Sequence, residues 1–182
     1  NGAGGGLIVN IGASIVDTDF FEIRVPPNWQ GNTSQKIYNY IFQSTITDPT
    51  SDTDVHIHIE ATNTLTIDNI FGAIEGNVAN PARVRFYSSD PSNRAIDIIP
   101  SMATESSWPS NAIRLSATRG GADGNDIQFY TADSSLTTPP PLIGTVQNFA
   151  GGFSGDNLEY DNFYVQRQIP RSTKQYAWIT GS

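Results

Sequence analysis

The chain has 182 residues, 18 acidic and 10 basic, with a net charge of −8 and no cysteine. Disulfides, zinc–thiolate sites and cysteine nucleophiles are therefore excluded, and the length is enough for one domain to bury a core without covalent staples. The longest apolar runs fall far below the roughly 20 residues that a membrane-spanning helix needs, and an acidic chain repels a phosphate backbone, which argues against nucleic acid as a partner.

The chain opens Asn-Gly-Ala-Gly-Gly-Gly. So glycine-rich a start suggests a processed mature chain, an excised fragment or a flexible junction, and residues 1–13 are expected to link rather than to pack. Leu7 to Val16 alternates loosely enough for a first strand, with Gly12 weakening it. Phe20, Phe21, Ile23 and Val25 make a second strand, which Pro26-Pro27 stops because proline lacks the ladder donor. Asn28 to Gln35 is a turn. Ile37 to Phe42, rich in aromatic and β-branched residues, is a third strand.

After a turn at Asp48 to Asp52, Val55, Ile57 and Ile59 alternate with His56, His58 and Glu60, the period-2 pattern of a strand exposing its polar side chains. Ile67, Ile70, Phe71 and Ile74 follow helical spacing. They predict one helix over residues 63–75, with Thr64 or Thr66 as N-cap and Gly76 as its stop. Arg83 to Tyr87 and Ala95 to Ile99 read as short strands between prolines, and Ser101 to Ser110 as a loop carrying Trp108. The whole predicts a β-rich α+β fold: sandwich-like sheets of short strands, one helix and extended termini.

Ile113 to Ile127, IRLSATRGGADGNDI, carries the most information. Ile113, Leu115 and Ala117 share one face of a strand. Gly120, Gly121, Gly124 and Asn125 then form a turn, with positive φ expected at Gly124 or Asn125, that returns the chain to Ile127–Tyr130 as a hairpin. A strand ending in Ala-Thr, a G-x-x-G-N-x-I turn and a later Phe-Ala-Gly-Gly at 149–152 resemble a module that recurs in phage tail and other virion proteins and in long bacterial surface proteins. The resemblance spans roughly residues 14–152. It implies a building block rather than a catalyst, and brings no active-site residues with it.

Beyond the body, set at residues 14–159, the character changes. Residues 160–182 hold five aromatics in 19 residues, Tyr160 to Trp178, and residues 163–182 carry Arg167, Arg171 and Lys174 with no acid, a charge of +3 against −11 for residues 1–162. The run Ile-Pro-Arg-Ser followed by Gln-Tyr-Ala-Trp-Ile is similar to a segment of very long multidomain surface proteins. Tyr160, Phe163, Tyr164, Arg167, Arg171, Lys174, Tyr176 and Trp178 are the candidate contacts to a neighbouring copy. The alternative is an arm that packs on its own domain.

The chemistry candidates are sparse. His56, His58 and Glu60 could face one cation from alternate strand positions, but no further histidine exists to complete a zinc site, and solvent-facing positions are the simpler reading. Asp123, Asp126, Asp156 and Asp161 lie in Gly-Asp-Asn stretches that suit calcium, although the nine-residue spacing of a β-roll is not kept. No metal or other cofactor is expected to be required. No G-x-S-x-G elbow is present, and the Asp52/Asp54 pair sits in a polar turn, so no enzymatic activity is expected.

The sequence thus points to a structural, self-associating module of an extracellular or virion assembly such as a filament, tail or surface layer. The alternative is a carbohydrate-binding or adhesin module, with Trp29, Trp108 and Trp178 as stacking residues.

Overall fold

The structure is a computed structural model and describes residues 5–11, 14–76, 82–102, 112–133, 136–137, 144, 146–152, 177–178 and 180–181. In chain order the elements are β1 (Gly6–Ile11), β2 (Phe20–Val25), β3 (Lys36–Gln43), β4 (Asp54–His58), α1 (Asn63–Glu75), β5 (Val84–Phe86), β6 (Ile98–Met102), β7 (Ala112–Ala117), β8 (Gln128–Tyr130), β9 (Leu136–Thr137) and β10 (Gln147–Asn148), followed by β11 (Ala177–Trp178) and β12 (Thr180–Gly181). They build a four-stranded sheet, β6-β7-β1-β9, a six-stranded sheet, β10-β8-β2-β3-β4-β5, and the small β11-β12 pair. The fold is α+β and β-rich.

Alternation decides which way each strand of the larger sheet faces. Phe21, Ile23 and Val25 of β2 are buried while Phe20, Glu22 and Arg24 are half-buried, and Tyr38, Tyr40 and Phe42 of β3 repeat the pattern. The β2–β3 register places Phe21 opposite Tyr40, and the two rings stack at 4.7 Å. Phe129 of β8 stacks on the other side of Phe21 at 5.5 Å, so an aromatic seam crosses three strands. β3 and β4 run parallel, unlike the other paired strands of this sheet. Residues 44–53 make the crossover that a parallel pair requires.

Helix α1 caps the opening between the sheets. Its Ile70 and Ile74 meet Val9 and Leu115 of the smaller sheet and Phe21 and Phe129 of the larger one around a small apolar void. The predicted stripe is correct, with Ile67, Ile70 and Ile74 buried and Phe71 packed against the same core. The N-cap is neither Thr64 nor Thr66 but Thr62, whose extended backbone lets its Oγ1 accept the Leu65 N–H at 3.3 Å. Thr66 is already inside the helix, where its hydroxyl donates to Thr62 O and accepts from Glu60 N–H.

Gly76 stops the helix in the left-handed conformation, as expected, with φ 78°. The guanidinium of Arg94 adds to this stop. Its Nε donates to Ile74 O at 2.9 Å and Nη2 to Glu75 O at 2.7 Å, closing carbonyls that a helix end leaves open.

Residues 6–11 correct the reading of the N-terminal segment as a linker. β1 is an inner strand of the four-stranded sheet, paired with β7 from Gly6↔Ser116 to Asn10↔Ala112 and with β9 on its other side. Val9 is buried. A second correction concerns β7 and β8, which are not a hairpin. β7 pairs with β1 and β6, whereas β8 pairs with β2 and β10. The glycine-rich segment between them carries the chain from one sheet to the other.

Candidate functional site

The segment between β7 and β8 folds as a 3₁₀ turn over Ala122–Asp126 and meets two other pieces of backbone. Gly6 and Ala150 form an antiparallel bridge, with Gly6 N–H to Ala150 O at 2.9 Å and Ala150 N–H to Gly6 O at 2.8 Å. Gly5, Gly124 and Gly152 pack together beside this bridge. A Cβ built on Gly124 would lie 2.6 Å from Gly5 N and 2.9 Å from Ala117 Cβ, and one on Gly152 would lie 2.6 Å from Gly5 N and 2.7 Å from Gly121 O. Backbone meets backbone at these points, and only glycine leaves the room.

Asn125 ties the three segments together. Its Oδ1 accepts the Gly152 N–H at 3.0 Å, its Nδ2 donates to Gly152 O at 2.8 Å, and its own carbonyl accepts from Asn148 Nδ2 at 3.1 Å. Phe149 is buried beside this clasp, and its N–H reaches Ile127 O. The G-x-x-G-N-x-I and Phe-Ala-Gly-Gly motifs are thus two halves of one contact. The expected positive φ at Gly124 or Asn125 is replaced by one at Gly121, φ 93°. Gly124 is required for close approach instead. Gly120 precedes this turn and is exposed.

His56 is not solvent-facing, and His58 is half-buried. β4 lies between β3 and β5, and the crossover before it folds back so that Thr47 O accepts a hydrogen bond from His56 Nδ1 at 2.9 Å. A carbonyl can only accept, so that bond fixes the Nδ1–H tautomer. His56 is 8% exposed. Glu60 is engaged elsewhere, with Asn69 Nδ2 at 3.1 Å and Arg83 Nε at 3.4 Å from its Oε2. Asp54 accepts from Asn39 Nδ2 at 2.8 Å, and Asp52 pairs with Lys36. Asp123 and Asp126 are exposed on the 3₁₀ turn. Among the described residues, no group of three or more His, Asp or Glu side chains is placed to hold a metal.

Trp29 is buried at 4% exposure, under the guanidinium of Arg119 at 4.1 Å from its ring centroid. Burial removes it as a stacking surface for a sugar. Trp108, Asp156, Asp161 and the arm residues Tyr160, Phe163, Tyr164, Arg167, Arg171, Lys174 and Tyr176 lie outside the described residues, and for Trp178 the structure describes the backbone in β11.

A polar junction around Trp29 was not legible from sequence. Gln30 Nε2 donates to Arg94 O at 3.1 Å and Tyr38 Oη at 3.4 Å, and Arg119 Nη2 donates to Asn28 O at 3.3 Å. Asn28 and Gln30 both adopt left-handed backbone, φ 70° and 53°, conformations that non-glycine residues rarely take without a reason. The Asn-Trp-Gln-Gly-Asn run after two prolines is the one hint in the sequence.

No helix among the described residues is long and apolar enough to cross a membrane. Comparison with protein-family models, with curated proteins and with solved structures finds no match.

Proposed function

We propose that the chain is a structural module of an extracellular or virion assembly, a filament, tail or surface layer, that associates with copies of itself through its C-terminal arm. The observation that carries this reading is the clasp. Gly124, Asn125 and Gly152 belong to the motifs that resemble virion and surface-protein modules, and together with Gly5 their side chains and backbone groups are spent on holding the fold together.

Two further features support it. The +3 arm of residues 163–182 has an electrostatic partner in any neighbour whose body carries −11. Among the described residues, β10 and β5 are the outer strands of the six-stranded sheet, the positions at which strand addition takes place. The rival carbohydrate-binding reading loses Trp29, which is buried.

Deleting residues 160–182 tests the proposal. The full chain is expected to form large species in sedimentation and electron microscopy, and the truncated chain to lose them while keeping its circular dichroism spectrum and melting cooperativity. Undiminished assembly of the truncated chain overturns the role given to the arm, and a full chain that stays monomeric at all concentrations overturns the reading as a whole.

A further inference from the structure

The outer face of the six-stranded sheet is built in rows. Phe21, Ile23, Tyr38, Tyr40, Val55 and Phe129 turn inward and are buried, so the residues between them along each strand turn outward. Register then sets Tyr130 beside Glu22, Glu22 beside Asn39 and Asn39 beside Asp54, one row across four strands. Neighbouring strands lie about 4.8 Å apart, so the row runs for roughly 14 Å. Phe20 and Ile41 make the next row on one side, and Arg24 and Ile37 the next on the other. Contacts along the face follow the register. Asn39 Nδ2 donates to Asp54 Oδ1 at 2.8 Å, and Arg24 Nη2 meets Glu22 Oε1 at 2.7 Å. The same guanidinium lies 5.2 Å from the centroid of the Tyr130 ring, which is 6.2 Å from that of Phe20.

The charges on and beside this face leave one acid over. Arg24 pairs with Glu22, Arg85 with Asp48 and Lys36 with Asp52. Asp54 has no cationic partner among the described residues, and the Asn39 amide engages one of its two oxygens. It is half-buried, where a charge interacts more strongly than it does in open water. On the margins of the row the face is apolar, with Ile37 at 37% exposure. The smaller sheet presents the opposite sign. Arg114 stands exposed on its outer face and belongs to no ion pair among the described residues.

We propose that this face seats the C-terminal arm of a second copy, a cation of residues 163–182 on Asp54 and the arm's aromatic side chains over Ile37, Ile41 and the Phe20–Tyr130 pair. The inference rests on the self-association proposed above and names the surface that receives the arm. Complementarity selects the occupant: the arm has three cations, no acid and the rings of Phe163, Tyr164, Tyr176 and Trp178, and the face has a carboxylate without a cation between apolar margins. Arg24 over Tyr130 is already the guanidinium-on-ring contact that such an arm extends. Reach is ample. The 24 residues 153–176 follow Gly152, and at about 3.3 Å per residue they span roughly 80 Å when extended. An arm on one copy and a face on the next form a heterologous contact, which propagates as an open filament unless its rotation closes a ring.

Two full-length variants test the seat by sedimentation velocity and electron microscopy. A face variant carries Asp54→Asn with Ile37→Lys, and an arm variant carries Arg167→Glu, Arg171→Glu and Lys174→Glu. Each alone should need at least about tenfold more protein than the wild type to assemble. Mixed in equal amounts they should form a one-to-one complex that grows no further, because one supplies an intact arm and the other an intact face. Ile37→Lys alone, at an exposed position, serves if Asp54→Asn does not fold. A folded face variant that assembles like the wild type, or a mixture that stays monomeric, overturns the seat and leaves self-association standing. A wild-type chain that is monomeric at all concentrations overturns both.

Discussion

The side-chain amide of Asn125 grips the backbone of Gly152 from both sides, accepting its N–H at 3.0 Å and donating to its carbonyl at 2.8 Å. A peptide group 27 residues away is thereby satisfied as it would be in a sheet ladder. Asn125→Ala should cost about 1–3 kcal/mol, the range for leaving buried or half-buried backbone groups unmatched. Asn125→Asp, which keeps the acceptor and loses the donor, should fall between. Urea denaturation gives the stability. Hydrogen exchange at Gly6 and Ala150 should quicken in both variants before the core amides respond.

Close approach makes a separate prediction at the glycines. Gly124→Ala and Gly152→Ala place a methyl group against the Gly5 backbone, which has no flexible end to move aside, so each should lose about 1–3 kcal/mol, the usual cost of overpacking. Gly121→Ala meets no atom within 4 Å but has φ 93°, and should lose a comparable amount through backbone strain alone. A chain that begins at Gly6, and so lacks the Gly5 backbone, distinguishes them. It should relieve the clash at Gly124 and leave the strain at Gly121, as read from paired denaturation curves.

Much of this architecture was legible. Alternation in Phe20–Val25, Lys36–Gln43 and Asp54–His58, and the 3.6 period in Ile67–Ile74, are local signals that survive packing, and these elements form where they were expected. Partnership was not legible. The turn residues between β7 and β8 mark a reversal, but nothing within Ile113–Tyr130 says that its two halves join different sheets. Gly124 reads as a turn glycine because a sequence displays the conformational freedom of glycine and hides its neighbours. Strand polarity predicts an exposed His56, whereas the crossover carrying Thr47 lies over it. The Trp29 junction joins residues about Asn28, Arg94 and Arg119, far apart in the chain, so no window contains it.

Tyr40 sets an alkaline limit to stability. It is fully buried, its hydroxyl accepts the Ala95 N–H at 3.1 Å, and burial holds its pKa far above the free value. The folded state then keeps a proton that the unfolded chain releases near pH 10. The contribution is complete below that pH and is lost as pH rises above it. Tyr40→Phe should be less stable at neutral pH by about 1–3 kcal/mol, because the Ala95 N–H loses its acceptor. Its stability should fall less steeply between pH 10 and 12, measured by urea melts across that window.

Arg94 and Gly76 should be energetically coupled. A Cβ on Gly76 would sit 2.4 Å from the Arg94 guanidinium carbon, at a residue already holding φ 78°. Gly76→Ala should therefore cost more in the wild type than in Arg94→Ala, where about 1 kcal/mol should remain for the left-handed backbone. A double-mutant cycle by thermal denaturation measures the difference. Arg94→Lys should not rescue the helix end, because one ammonium cannot reproduce the fork on the Ile74 and Glu75 carbonyls.

The pairing of Gly6 with Ala150 makes the described body a closed circuit: the chain leaves by the point at which it entered. Tension transmitted along a polypeptide through its flanks would then meet this bridge first, opening its two hydrogen bonds one after the other instead of shearing the long β1–β7 ladder. The body hangs to the side of the line of force, and its hydrophobic core carries load only after the clasp has parted. The same geometry makes the sequence order negotiable. A short peptide joining Gly5 to Gly152, with new ends cut in the exposed turn after Gln43, would preserve the pairings within both sheets while moving the points of attachment to the opposite part of the chain.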